Sequence, residues 1–102
     1  MRIWFHPEAR MELLESVAYY GAYEPALGQR FLEEVTEAIR RIRRHPKMYP
    51  RVSDDWRQCR IPRFPYGLVY AIRSGGIEIY AVVHLHRQPG YWKSRTPETP
   101  GD

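Results

Sequence analysis

The side chains with the most chemical reach gather late in this sequence: Arg60, Arg63, Arg73, His84, His86, Arg87 and Tyr91, with Tyr66 and Trp92 close by. His84 and His86 are two apart, so on a strand they leave the same face. Cleavage of RNA through its own 2′-hydroxyl needs a base, an acid and cations for the pentavalent phosphate, and no metal. A histidine titrating near pH ~6.5 suits the first two roles. Arginines would hold the phosphate charge, and tyrosine or tryptophan rings would stack on a splayed base. That chemistry names His84, Arg87, Arg60 and Tyr91 as a catalytic set. A plainer reading competes with it. His84 ends a strand and bonds a carbonyl, Tyr91 and Trp92 latch onto an apolar surface, and Arg87 pairs with an acid.

Other chemistries lack their residues. The four histidines (His6, His45, His84 and His86) stand in no HExxH or mixed His/Cys spacing, so no metal site is expected. Walker, GxGxxG and GxSxG motifs are absent, and no cofactor is expected. The basic half has no closely spaced carboxylate pair of the glycosidase kind. The lone Cys59 excludes an internal disulfide and suits a reducing compartment. It reads as a small strand hydrophobe. No apolar run approaches the ~20 residues of a membrane span. Met1 to Phe5 leads straight into a helix start without a leader pattern. A cytoplasmic protein with no membrane contact is expected.

At 102 residues the chain is one domain, too short for two cores. Its net charge of +4 conceals a polarity. Residues 1–39 carry three basic and seven acidic side chains, a balance of −4, and residues 40–102 carry 13 and five, a balance of +8. Arg outnumbers Lys 14 to two, and the forked guanidinium suits phosphate or carboxylate. Arg40 to Arg44 also fit a helix C-terminus, where cations meet the negative dipole end. The later arginines need another reason, and a basic patch points to nucleic acid or an acidic protein segment.

The elements that must position these groups are legible. Residues 2–5 read as a short strand. Pro7 and Glu8 open a helix with Ala9, Leu13, Val17 and Tyr20 on one face. Tyr19, Tyr20 and Tyr23 read as a packing ridge on it, and His6 as its entry residue. Gly21 and Pro25 make the turn. A second helix carries Leu27, Phe31, Val35, Ala38 and Ile42 inward, with Glu37 and Arg41 as an i,i+4 pair, and stops at Pro46. Residues 48–55 read as a loop. Strands follow at 56–61, 66–73 and 77–85, the last two joined by Ser74-Gly75-Gly76. Residues 86–95 read as an extension and 96–102 as a frayed tail, so the domain is 1–95. The fold class is α+β: a two-layer β-α-α-β-β-β domain, its helical hairpin on one face of a mainly antiparallel four-stranded sheet. The last two strands are apolar at nearly every position, so their far face is expected to be a binding surface or to lie under a partner.

In order and spacing these segments resemble the RelE/ParE toxins of type II toxin–antitoxin systems. The resemblance runs over residues 2–95. It is carried by Phe5-His6-Pro7-Glu8-Ala9, Leu27-Gly28-Gln29-Arg30-Phe31, Pro46-Lys47-Met48-Tyr49-Pro50, Arg60-Ile61-Pro62-Arg63-Phe64-Pro65-Tyr66, Val69-Tyr70, His84, Arg87, Tyr91-Trp92 and Arg95. It implies a growth-inhibiting or plasmid-stabilising toxin, neutralised by a cognate antitoxin whose C-terminal segment wraps it. Operator DNA would be met only through that complex. RelE-like members cut mRNA on the ribosome, whereas ParE-like members inhibit DNA gyrase. The helical hairpin and the single His84 after the final strand look more ParE-like, and only Lys47 stands where some ribosome-dependent members carry a lysine-rich loop. The resemblance implies gyrase as target, with the ribosome and its mRNA as the alternative, and an inactive relative that binds only antitoxin as a further one. Contacts to target or antitoxin are expected from Arg60, Arg63, Tyr66, Tyr70, Arg73, His86, Trp92 and Arg95, with antitoxin adding as a strand to the basic, apolar far face.

Overall fold

The computed structural model describes residues 1–97. The elements are β1 (Arg2–Phe5), α1 (Pro7–Tyr23), α2 (Pro25–Arg44), β2 (Arg51–Ser53), β3 (Trp56–Arg60), β4 (Tyr66–Arg73) and β5 (Gly76–His84), then a 3-10 turn at Tyr91–Ser94. They form an α+β domain, with the sheet ordered β1-β5-β4-β3-β2. β1 runs parallel to β5, and the other neighbours are antiparallel. The sheet thus has five strands and not the expected four. The added one, β2, is cut from the 48–55 segment read as a loop. It is short, exposed and irregular in register, so it buries too little to leave a hydrophobic pattern.

Local chemistry explains the helical hairpin. Pro7 occupies the first turn of α1, and His6 caps it by accepting the Glu8 N–H at 3.1 Å. α2 buries Gly28, Phe31, Val35, Ala38 and Ile42, the periodic stripe of its sequence. A Cβ at Gly28 would sit 2.9 Å from the Val17 carbonyl oxygen, so the helices meet backbone to backbone there. On α2 the ion pair formed is Glu37 with Arg40, one residue short of the expected Arg41. α1 is less regular. Ala9 and Ser16 are buried, while Met11, Leu14, Tyr19 and Tyr23 face outward. Only Tyr20 of the expected tyrosine ridge enters the core, against Phe31 and Phe64.

Both faces of the sheet are covered. Phe31, Val35, Ile42, Leu68, Ile77 and Ile79 form the core beneath the helices. On the far face Val69, Tyr80, Ala81 and Val83 pack beneath Trp92, with Trp56, Leu85 and Tyr91 around them. β5 bulges at Tyr80: Val69 faces Ala81 while Tyr70 faces Ile79. The nearly continuous apolar run of β4 and β5 therefore has a local cause. The chain's own C-terminal segment covers the face expected to await a partner. Of the expected frayed tail 96–102, the Thr96 carbonyl accepts a hydrogen bond from His6 Nε2 at 2.9 Å, and residues 98–102 lie outside the described residues.

Candidate functional site

The site begins with a mismatch of strand lengths. β1 pairs with β5 only from Gly76 to Ile79, and the His6 N–H closes that ladder on the Ile79 carbonyl at 2.9 Å. Among the described residues no strand continues along this edge of β5. Side chains satisfy it instead. Glu12 of α1 accepts the Val82 N–H at 2.9 Å, the Tyr91 hydroxyl at 2.6 Å and the Arg95 guanidinium at 3.0 and 2.7 Å. Arg95 also donates to the Tyr80 carbonyl at 2.9 Å, and the Tyr80 hydroxyl donates to the Arg95 carbonyl at 2.6 Å. Side-chain exposure is only 8% at Arg95 and 13% at Glu12. A bidentate pair at this depth needs its remaining lone pairs filled, and here they are. Burial, then the Glu12 carboxylate, pushes the Tyr91 hydroxyl pKa well above its ordinary range. The Arg87 guanidinium lies 3.7 Å from the centre of the Tyr91 ring, with Arg95 at 5.2 Å.

Beside this closed cluster lies an open cavity of about 320 Å³. Gln58 and Arg60 of β3 form one wall, Val83 and His84 of β5 another, and the segment from Leu85 to Lys93 the third. β4 crosses beneath at Gly67, which faces both Arg60 and Val83 in register. A Cβ there would meet the Gln58 side chain at 3.0 Å. Gly90 turns the third wall at φ 80°, a left-handed value that glycine adopts freely. Its missing side chain leaves room for the Lys93 stem, 3.1 Å from where a Cβ would be. Arg60, Arg87 and Lys93 line the cavity, and no carboxylate of the described residues does. His84 accepts the His86 N–H on Nδ1 at 3.1 Å, and its ring stands edge-on to Tyr66 and His86. It also borders an aromatic groove of about 620 Å³ formed with Tyr19, Tyr20, Tyr23 and Tyr66.

The structure brings Arg60, His84, Arg87 and Tyr91 around one cavity. It disperses the other candidates. Arg63 stands exposed in the β3–β4 turn at φ 70°. Tyr66 is half-buried against Tyr20, Phe31 and His84. Tyr70 is buried on the helix side, its hydroxyl donating to the Pro46 carbonyl at 2.5 Å and its pKa pushed up by burial to about 12. Arg73 sits at the far end of β4 with Glu78 at 3.5 Å and Asp55 at 3.4 Å. His86 is exposed beside His84. Trp92 is 5% exposed, and the Arg95 side chain is held by Glu12. Sequence reasoning missed Glu12, Gln58 and Lys93. Glu12 had left a signal: it lies three residues after Ala9 and four before Ser16, on the buried side of α1.

Two helices on a mixed sheet, with a basic cavity at the end of its central strands, define a small α+β domain. The family model for the ParE toxin of type II toxin–antitoxin system, parDE, matches residues 3–89, and the chain belongs to that family. Membership implies a cognate antitoxin as partner. No curated protein shows significant similarity to the chain. The matched span stops short of Tyr91–Ser94, the turn that roofs the far face and closes the cavity. No helix among the described residues is long and apolar enough to cross a membrane.

Proposed function

We propose that this toxin acts by binding, with DNA gyrase as its target, in the cytoplasm where gyrase works. One observation carries the reading: groups that RNA cleavage would require are already engaged. The Nδ1 lone pair of His84 accepts the His86 N–H. The proton of its neutral ring then sits on Nε2, leaving no nitrogen free to take a proton from a 2′-hydroxyl. The Tyr91 hydroxyl donates its hydrogen bond to Glu12 at 2.6 Å. Arg87 lies 3.8 Å from the same carboxylate, which reduces the positive charge it offers a phosphate. A binding toxin needs none of these groups free. It needs exposed contact surface, and α1 supplies Met11, Leu14, Tyr19 and Tyr23 outward on one helix.

The rival reading, a metal-independent ribosome-dependent endoribonuclease, has its own support in the convergence of Arg60, His84, Arg87 and Tyr91 on one cavity. Two assays separate them. Purified toxin should block supercoiling by gyrase and leave translated mRNA intact, and His84→Ala should keep most of the inhibition. Codon-linked cuts that vanish in His84→Ala would establish the nuclease instead. Silence in both assays with antitoxin binding intact would mark an inactive relative.

A further inference from the structure

We propose that the cavity between β3 and the Gly90 turn receives an acidic side chain of the antitoxin, flanked by apolar residues. The inference deepens the neutralisation step and rests on the family's antitoxin partnership, not on gyrase. The far face and the upper edge of β5 are closed to an added strand, by Trp92 and by Glu12 with Arg95. The cavity is the opening left at their margin.

Its wall is chemically one-sided. Arg60 and Lys93 bring positive charge, Arg87 adds a charge partly offset by Glu12 at 3.8 Å, and no carboxylate of the described residues lines the cavity. Arg60 forms no ion pair among the described residues, nor does Lys93. Trp92, also on the wall, has a buried indole N–H that lacks an acceptor among the described residues. Cations without acids of their own call for a guest bearing negative charge, and Trp92 beside them serves as its reporter. Val52, Val83 and Leu85 supply apolar surface for the residues on either side of the acid.

A nucleic-acid strand would offer the same charge, but the rings here give its bases little to stack on. Arg87 and Arg95 both lie over Tyr91, and Trp92 is buried edge-on to Tyr91 and Trp56. Single-strand binding sites depend on open aromatic faces. A carboxylate between aliphatic side chains needs none.

The test uses the full-length toxin labelled with ¹⁵N, in which each of the three tryptophans gives one indole N–H resonance. The probe is acetyl-Leu-Glu-Asp-Leu-amide, its control acetyl-Leu-Gln-Asn-Leu-amide, and a short oligothymidylate is the nucleic-acid arm. The acidic peptide should shift the Trp92 resonance and bind about tenfold tighter than its amide counterpart, the equivalent of one charge-assisted contact. Arg60→Gln and Lys93→Gln should each abolish most of that preference, and Arg60→Lys should retain part of it. Both positions are exposed, and unchanged spectra elsewhere confirm folding. Equal binding of the two peptides, an unmoved Trp92 resonance, or a stronger Trp92 response to oligothymidylate would each overturn the proposal. Supercoiling inhibition, measured without peptide, stands or falls separately.

Discussion

Two clusters of charge share the segment Tyr91–Arg95 and differ in how they are used. On one side of it Glu12 receives Val82, Tyr91 and Arg95, and both charged side chains are almost wholly buried. On the other side Arg60 and Lys93 border an open cavity with no carboxylate of the described residues on its wall. The first arrangement has its hydrogen bonds filled, so it serves the fold: it substitutes for the strand that β1 is too short to provide. The second has charge left over, which is what the proposed capture of an acidic side chain draws on. Arginine appears in both, and its type alone says nothing about which role it plays. What decides is whether an acid from another element reaches it.

The largest expected effect comes from breaking the closed cluster. Glu12→Gln should leave the buried Arg95 guanidinium with only the exposed Glu8 carboxylate, at 3.8 Å, as counter-charge, at a cost of about 3 kcal/mol. It should also loosen the C-terminal segment, because Arg95 anchors both Glu12 and the Tyr80 carbonyl. Chemical denaturation measures the first, and faster amide exchange at Val82 the second. A loss no larger than that of an exposed ion pair would show that the cluster is peripheral to stability.

The contrast also explains what the sequence made legible. The α2 stripe was readable because Phe31, Val35, Ala38 and Ile42 are inside and the charged positions between them face outward. β4 was readable to the residue because its ends carry turn signals at Pro65 and Ser74. α1 concealed its key residue. It exposes Met11 and Leu14 while turning Glu12 inward, so residue type hid the acid and only its spacing from Ala9 and Ser16 marked it. The far face was read as waiting for a partner because its cover is a 3-10 turn of four residues, too short to show a period. Basic charge located Arg60, Arg87 and Arg95 but could not separate the paired from the free, since Glu12 lies 83 residues from Arg95.

Trp92→Ala tests the roof that the two clusters share. It removes a side chain packed over Val69, Tyr80 and Val83 and should destabilise the protein by about 3 kcal/mol. Binding of a hydrophobic dye should rise as the far face opens. If stability falls but dye binding does not, the segment stays seated through Arg95 and the roof is secondary to the anchor.

A smaller effect should appear in alkali. Burial raises the Tyr70 hydroxyl from an ordinary 10.0 to about 12, and Tyr91 is raised as well, by burial and then by Glu12. Folding favours the protonated phenol in each case. Their contribution is complete below pH 10 and is lost as pH climbs through the folded-state values. The midpoint of thermal unfolding should therefore drop between pH 10 and about 12, with tyrosinate absorbance rising as the fold is lost. Tyr70→Phe should start less stable by about 1 kcal/mol, from the lost bond to the Pro46 carbonyl, yet fall less steeply over that window. Parallel slopes for both proteins would place the alkaline sensitivity elsewhere.

The smallest effect on folding is expected where the effect on recognition is expected to be large. Arg60 is exposed, and among the described residues it has no ion-pair partner. Arg60→Gln should change unfolding free energy by no more than about 0.5 kcal/mol, the range of surface substitutions away from special features. It should nevertheless weaken capture by the cognate antitoxin, because the cavity loses one of the charges that no acid of the fold balances. Measuring both quantities on one preparation sharpens the comparison. If Arg60→Gln destabilised the protein as much as Glu12→Gln, the open cavity would be part of the scaffold, and the division between the two clusters would dissolve.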